Sequence, residues 1–319
     1  MLEGLKAYQR SKTDAMRVGL RHLRKHEFTN EAWSNWLERG KTVWFYDRFP
    51  MIKTWKGQSI KDKTILLWYE QGLGDQLLFI YTAQLLKSEK FGASRVICEV
   101  DKRLVSLLTR SFPDVEFIPY QYPWDEVVYE ADFECALGDV MCYTTNSWED
   151  FPFVRQQLIP DAGLVKHFKE KYAGHDLVGV AWASGAQHGA KNKSLDPKLY
   201  RKLAESSTCL SLQYGNTSTP DYIVVDDEVN LTTDMEGVAA LIEACSHVVT
   251  TSNTVAHMAG GVGVPTDVML PQGMGRHWYW YAEVSPNPFY FNCSVHMQSI
   301  PGYYNNLIDK IAKKRLDIQ

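Results

Sequence analysis

From residue 64 onward the chain alternates short apolar runs with longer stretches whose apolar residues recur at helical spacing. Thr64–Trp68 (TILLW) is the first run, followed by a glycine-containing turn over Gln71–Asp75 and the amphipathic stretch Gln76–Lys87. Arg95–Val100 (RVICEV), a helical segment near Lys102–Arg110 and Val115–Ile118 (VEFI) continue a β-turn-α-β-α-β order. That order predicts a parallel sheet with helices on its faces. The alternation restarts at Leu177–Trp182 (LVGVAW). A helix is predicted over Asp196–Ser206, with Pro197 in the first turn where its missing N–H does no harm. Strands are predicted at Cys209–Gln213, Ile223–Val225 and His247–Thr251, and helices at Asp234–Cys245 and Thr254–Val262. Thr266–Leu270 reads as the last strand and Tyr303–Arg315 as an amphipathic helix.

The first 50 or so residues read as helical, with Leu20, Leu23, Trp33, Trp36 and Leu37 spaced for a buried stripe. No strand signal precedes residue 64. Residues 119–160 are irregular and rich in aromatics and acids, and Phe151–Pro160, with two prolines, reads as the approach to a domain junction. The fold class expected from the two βα arrays, joined near residue 170, is α/β with two Rossmann-like domains. No clean repeat of roughly 20–50 residues appears.

Composition narrows the function classes. Forty aromatic residues (10 Trp, 17 Tyr, 13 Phe) among 319 exclude disorder as the dominant state. A net charge of −4 argues against an avid, nonspecific polyanion binder, yet leaves room for a local basic pocket. No apolar run approaches the roughly 18 residues that span a bilayer, so no integral membrane segment is expected. The first residues carry no hydrophobic leader. Six cysteines form no CxxC pair, and Cys98, Cys209 and Cys245 sit in apolar stretches, which fits a reducing cytoplasm.

Four segments carry candidate chemistry. Glu70-Gln-Gly-Leu-Gly-Asp75 lies between a strand and a helix; Gly72 and Gly74 allow a tight turn and close approach to a ligand, and the helix start offers free N–H groups. The third glycine of a dinucleotide fingerprint is missing, and Glu99 is the nearest candidate for its acidic partner. Asp75 is either a helix N-cap or a carboxylate at a cleft edge, at the carboxyl end of a strand. In Thr250–Gly263, Ser252, Asn253 and Thr254 crowd a helix start suited to a diphosphate, with plain capping as the alternative. Ala256, Ala259, Gly260 and Gly261 permit close packing there, and His257 alone is more often a packed helix histidine than a catalyst. Trp182-Ala-Ser-Gly185, followed by Lys191, Lys193 and Ser194, is a glycine loop with a basic excess that suits phosphates or is merely a solvated face. Gln272–Trp280 (QGMGRHWYW) pairs Arg276 with aromatics, either to clamp a sugar or base by stacking or to bury as a lid. No GxSxG, HExxH, Walker A or EF-hand pattern appears.

Taken in order, Trp55-Lys-Gly-Gln, Leu67–Asp75 (LWYEQGLGD), Trp182–Gly185, Ser211-Leu-Gln213, Ala240-Leu-Ile242 and Ser252–Gly260 (SNTVAHMAG) resemble the heptosyltransferase-like glycosyltransferases of family nine type. The chain is most similar to the modules that follow tetratricopeptide repeats in bacterial proteins, and Ala32–Trp36 resembles the remnant of a last repeat. The likeness spans about residues 55 to 290. It implies a GT-B architecture of four parts: a helical repeat-like segment (1–55), an N-terminal Rossmann-like acceptor domain (56–170), a C-terminal Rossmann-like donor domain (171–300) and a C-terminal crossing helix (301–319) packing back on the N-terminal domain.

The resemblance further implies inverting transfer from a nucleotide-diphospho-sugar, with no metal and no cofactor. By position Asp75 is similar to the family's general base, beside an acceptor-side loop of Gln71, Gly72 and Gly74. Lys193 is similar to its phosphate-contacting lysine. Ser184, Gly185, Ser194, Gln213, Ser252, Asn253, Thr254, His257 and Arg276 fall on its donor side. Two positions depart: members often carry Lys where this chain has Tyr214, and an acid where it has Gly237. The implied acceptor is a hydroxyl on a glycan, a lipid-linked core, a protein or a nucleic-acid base. Rival functions are a non-catalytic nucleotide-sugar-binding module, a nucleotide-sugar epimerase and a nicotinamide-dependent oxidoreductase.

Overall fold

The computed structural model describes residues 18–38, 48–69, 71–121, 129–151, 157–185, 190–215, 217–273 and 275–316. The chain divides into two units, Met1–Val105 with Phe112–Pro152, and Ser106–Ser111 with Phe153–Gln319. The division falls near residue 152 rather than 170, because α7 (Ala162–Lys171) buries Val165 and Phe168 and packs on α10 (Met235–Ala244) of the second unit.

In the first unit, helix α1 (18–24) precedes α2 (Asn30–Leu37), which Thr29 caps through its side chain. The tryptophans of the helical stripe fasten α2 down: Trp33 Nε1 donates to the Thr145 carbonyl (2.7 Å) and Trp36 Nε1 to the Gly138 carbonyl (3.1 Å). Residues 1–17 and 39–47 of the expected helical start lie outside the described residues.

The first sheet is parallel throughout, in the order β1-β5-β2-β3-β4. Its strands are β1 (Lys53–Thr54), β2 (Thr64–Trp68), β3 (Arg95–Val100), β4 (Glu116–Pro119) and β5 (Phe133–Ala136). Helices α3 (Leu73–Phe79) and α4 (Tyr81–Leu86) follow β2, α5 (Val105–Ser111) follows β3, and α6 (Met141–Thr144) follows β5. Two strands escape the sequence pattern. β1 has two residues, both exposed, and β5 places buried Glu134 among its apolar residues, where it accepts from the Trp68 indole.

The second sheet is also parallel, in the order β10-β9-β8-β6-β7. Its strands are β6 (Leu177–Ala181), β7 (Thr208–Ser211), β8 (His247–Thr251), β9 (Thr266–Leu270) and β10 (Cys293–Met297). β6 and β9 are buried at every position, as interior strands covered on both faces must be. Thr266–Leu270 is therefore not the last strand. β10 was hidden because it is an edge strand whose polar residues spoil the apolar signal. Its His296 and the His247 of β8 each bond the buried Asp267 carboxylate at 2.6 Å. Ile223–Val225 forms only a bridge from Val224 to Leu210, since Val224 and Val225 lie outside the edge strand, exposed.

Helices α8 (Ala190–Lys193), α9 (Arg201–Ala204), α11 (Thr254–Val262) and α12 (Asn305–Leu316) also belong to the second unit, as does α5 from Ser106 onward. In helix α12, Ile308, Ile311 and Ala312 join the second unit's own core with Val178, Tyr200 and Leu203. All six cysteines are free thiols. Among the described residues no helix is long and apolar enough to cross a membrane.

Candidate functional site

Strand order locates the sites before any side chain is considered. In an open parallel sheet, ligands lie at the carboxyl ends of the strands, where the chain reverses its direction of build. In the second sheet that reversal falls between β6 and β8. The segments leaving those strands are Trp182–Gly185 and Ser252–Thr254, two of the candidate motifs.

Hydrogen bonds tie the motifs together. Asn253 is the N-cap of α11, its Oδ1 accepting from the Ala256 amide at 3.2 Å. Its Nδ2 donates to the Ala183 carbonyl at 3.2 Å, joining the helix start to the glycine loop. Gln213, just beyond β7, holds that loop from the other side: its Oε1 accepts from the amides of Trp182 (2.8 Å) and Ala183 (2.7 Å). Ser194 Oγ accepts from the Ser184 amide at 3.4 Å, and the Tyr214 hydroxyl from the Gly185 amide at 3.2 Å. Tyr214, the first of the two departures noted above, thus braces the loop. Gly237, the second departure, has a packing cause. A Cβ there would lie 2.4 Å from the Asp234 carboxylate that caps α10.

The fourth motif joins the same cluster. Ser252 Oγ accepts from the Trp280 indole N–H at 2.9 Å, and Lys193 Nζ lies 3.3 Å from His277 Nε2. Lys193 is buried, so a cationic group sits inside the site rather than on a solvated face. The first turn of α11 adds backbone donors. Only the Ala256 amide is taken by the cap, and the amides of Thr254 and Val255 precede any intrahelical acceptor.

His257, four residues after the cap, is enclosed. It is 3% exposed, stacks on Trp280 (4.9 Å between ring centres) and shares a 3.1 Å hydrogen bond with Tyr290. Burial pushes its pKa down to about 3, helped by the charges of His277 and Lys193. It stands as a neutral packing residue. Trp278, Tyr279, Trp280 and Tyr281 are likewise buried, and Tyr279 and Trp280 pack on His257 instead of presenting rings for a sugar to stack on. Arg276 is half-buried and paired with Glu283 at 2.6 Å.

In the first sheet the build reverses between β2 and β5, and Gln71–Asp75 leaves β2 at that point. Glu70 lies outside the described residues. Gly72, not Asp75, is the N-cap of α3, and Asp75 is the third residue of the helix, half-buried. Capping therefore does not account for the aspartate, although an acid in the first turn suits the helix dipole. Gln76 is a site residue the sequence pattern did not single out. It is buried, its Nε2 donating to the Gln71 carbonyl (3.3 Å) and its Oε1 accepting from the Asp101 amide (2.8 Å), which locks the turn to the end of β3. Glu99 is enclosed by Arg48 (2.8 Å) and the Tyr129 hydroxyl (3.0 Å), so it is not available to a ribose, and the dinucleotide alternative loses its acid.

No protein-family model matches the chain. Among solved structures, 80% of the chain overlays 96% of the E. coli ADP-heptose LPS heptosyltransferase II (TM-score 0.51, 14% identity). It covers 81% of itself and 93% of a family 9 glycosyl transferase from Veillonella parvula (TM-score 0.52, 12% identity). It covers 81% of itself and 78% of the iron-containing dodecameric glycosyltransferase TibC of enterotoxigenic E. coli (TM-score 0.50, 12% identity). The fold is that of the heptosyltransferase-type glycosyltransferases. A curated relative, Protein FlbA of Caulobacter vibrioides, is 27% identical over 268 residues, 72% of this chain. The chain spans 44% of that relative's length. Among the described residues no group of three or more His, Cys, Asp or Glu side chains is arranged to hold a metal ion.

Proposed function

We propose that this chain is an inverting glycosyltransferase that moves a sugar from a nucleotide-diphospho-sugar to an acceptor hydroxyl without a metal ion. Three candidate motifs converging on the start of α11, with buried Lys193 among them, carry this assignment; the fold supports it.

The second unit binds the donor. The Lys193 ammonium and the Thr254 and Val255 amides meet the diphosphate and stabilise the charge that grows on it as the bond to the anomeric carbon breaks. Ser184, Gly185, Ser194 and Gln213 shape the loop beside it. Asp75 of the first unit accepts the acceptor's proton as its oxygen forms the new bond from the opposite face, which inverts the anomeric centre. The proton then passes from Asp75 to solvent. We further infer a reducing, cytoplasmic setting, a reading that six free thiols support.

A thermal-shift panel of nucleotide sugars tests donor binding, because a ligand that binds only the folded state raises its melting temperature. ADP-, UDP-, GDP- and CMP-linked sugars cover the base. At least one is expected to shift the transition, and conversion of a donor with no acceptor present would instead indicate an epimerase. A flat panel would remove the assignment.

A further inference from the structure

The cations of the second unit are distributed unevenly. On α7, Lys166 meets Glu170 (3.8 Å), Lys169 meets Glu243 (3.6 Å), and Lys171 meets Asp226 and Glu228 (both 2.8 Å). Around α9 and α12 that pairing largely fails. Lys198, Arg201, Lys310, Lys313 and Lys314 are exposed and form no ion pair among the described residues. Lys202 meets Asp309, and Arg315 turns away to Asp176.

The unpaired cations share a face. Tyr200, Leu203, Ile308, Ile311 and Ala312 belong to one core cluster, which lays α9 beside α12, and the Lys202–Asp309 pair crosses between the two helices. On α12, Lys310, Lys313 and Lys314 lie opposite the buried Ile308, Ile311 and Ala312, as helical spacing requires. Arg201 lies over the Tyr222 ring at 4.4 Å. Asp196 and Glu205 are the other acids on these segments, and Asp196 is engaged as the cap of the Pro197–Tyr200 turn. Cations in a last turn suit the helix dipole, which accounts for Lys313 and Lys314 but not for Lys310, a turn earlier. In a chain of net charge −4 the face is a local reversal of sign.

An apolar turn leads into α12. In Ile300-Pro-Gly-Tyr303, Ile300 is 58% and Tyr303 44% exposed. The turn is held in shape. The Tyr303 amide donates to the Ile300 carbonyl (3.1 Å), Gly302 supplies the left-handed backbone (φ +78°), and buried Gln298 accepts from the Gly302 amide (3.1 Å). The neighbouring Tyr304 hydroxyl donates to the Asn192 carbonyl at 2.8 Å. An isoleucine and a tyrosine are thus held out to solvent at the start of the helix that carries the unpaired lysines.

We propose that this face binds the surface of an anionic lipid bilayer, without spanning it. The inference does not depend on the donor-site assignment. Anionic headgroups attract the free ammonium groups, each lysine near such a surface strengthening binding about fivefold. Ile300 and Tyr303 suit the boundary between headgroups and acyl chains, where an apolar body is buried and a phenol stays wet. A nucleic acid would take the lysines but has no apolar layer to bury the isoleucine.

Co-sedimentation of the full chain with lipid vesicles tests this. Binding is expected to vesicles of phosphatidylcholine mixed with phosphatidylglycerol, and it should fall in pure phosphatidylcholine and at high salt. Lys310→Gln combined with Lys313→Gln should lower the partition coefficient about 30-fold. Lys166→Gln combined with Lys169→Gln makes the same change in net charge on α7 and should leave it nearly unchanged. Ile300→Ser combined with Tyr303→Ser should weaken binding about tenfold while keeping its salt dependence. Every substituted side chain is exposed, so the variants' thermal melts should match wild type. Failure of the wild type to bind anionic vesicles at low salt overturns the inference, as do equal losses in the two lysine variants. Binding to duplex DNA in place of vesicles overturns it too, and gives the face to nucleic acid.

Discussion

Asn253 donates to the Ala183 carbonyl at 3.2 Å while its other amide atom caps α11, so one side chain fixes both the helix start and the loop that follows β6. The two segments are about 70 residues apart in sequence and meet because β6 and β8 are neighbours in the sheet.

Asn253→Ala removes both bonds. Loss of the cap alone costs about 1 kcal/mol, and the freed loop should weaken nucleotide binding beyond what that figure implies. Asn253→Asp keeps a capping oxygen, so its melting temperature should stay closer to wild type. Its added negative charge at the helix start should nevertheless weaken ADP binding more than the alanine does. Paired thermal melts and ADP titrations of the two variants check the crossed order.

His257 should make the second unit acid-sensitive. Its pKa is about 3 when folded and 6.5 when free, so between those values the unfolded chain binds the extra proton. The stability held by the neutral ring is thus full above 6.5 and is lost progressively as pH falls toward 3. The loss amounts to roughly 3 kcal/mol by pH 4. His257→Asn should flatten this part of the pH profile. Urea midpoints of both proteins across that range, compared as a difference, measure it; parallel profiles would show that His257 is not the group responsible.

Gly260 lies under Tyr290, where an added Cβ would come within 2.5 Å of the ring. Gly260→Ala should therefore destabilise the protein by about 1–3 kcal/mol through displacement of that ring. Because Tyr290 also holds His257, the pH dependence of the variant should be shallower. Denaturant melts at neutral and acid pH separate the two effects.

The sequence disclosed what periodicity and turn chemistry encode. TILLW and LVGVA read as strands because inner parallel strands are apolar on both faces, and Asp196, Asp234 and Asn253 marked helix starts where the structure places caps. It did not disclose β1, β5 or β10. Each is short, at an edge or interrupted by a polar residue whose partner is remote in sequence, such as Glu134 with Trp68 and His296 with Asp267. An amphipathic stripe shows that Ile308 and Ile311 are buried, not against what. At the site, residue types near glycine turns pointed to Asp75, Lys193 and Asn253. Gln76 and His277 stayed unremarked because their roles depend on contacts with Gln71, Asp101 and Lys193 that local pattern does not contain.

The division of labour between the two units is tested most directly by titrating wild type, Lys193→Ala and Asp75→Asn with a nucleoside diphosphate, ADP first. Wild type and Asp75→Asn should bind alike, and Lys193→Ala should bind about 10- to 100-fold more weakly, the worth of a charged hydrogen bond. Equal losses in the two variants, or undiminished binding in Lys193→Ala, would contradict the assignment of leaving-group recognition to the second unit and of proton acceptance to Asp75.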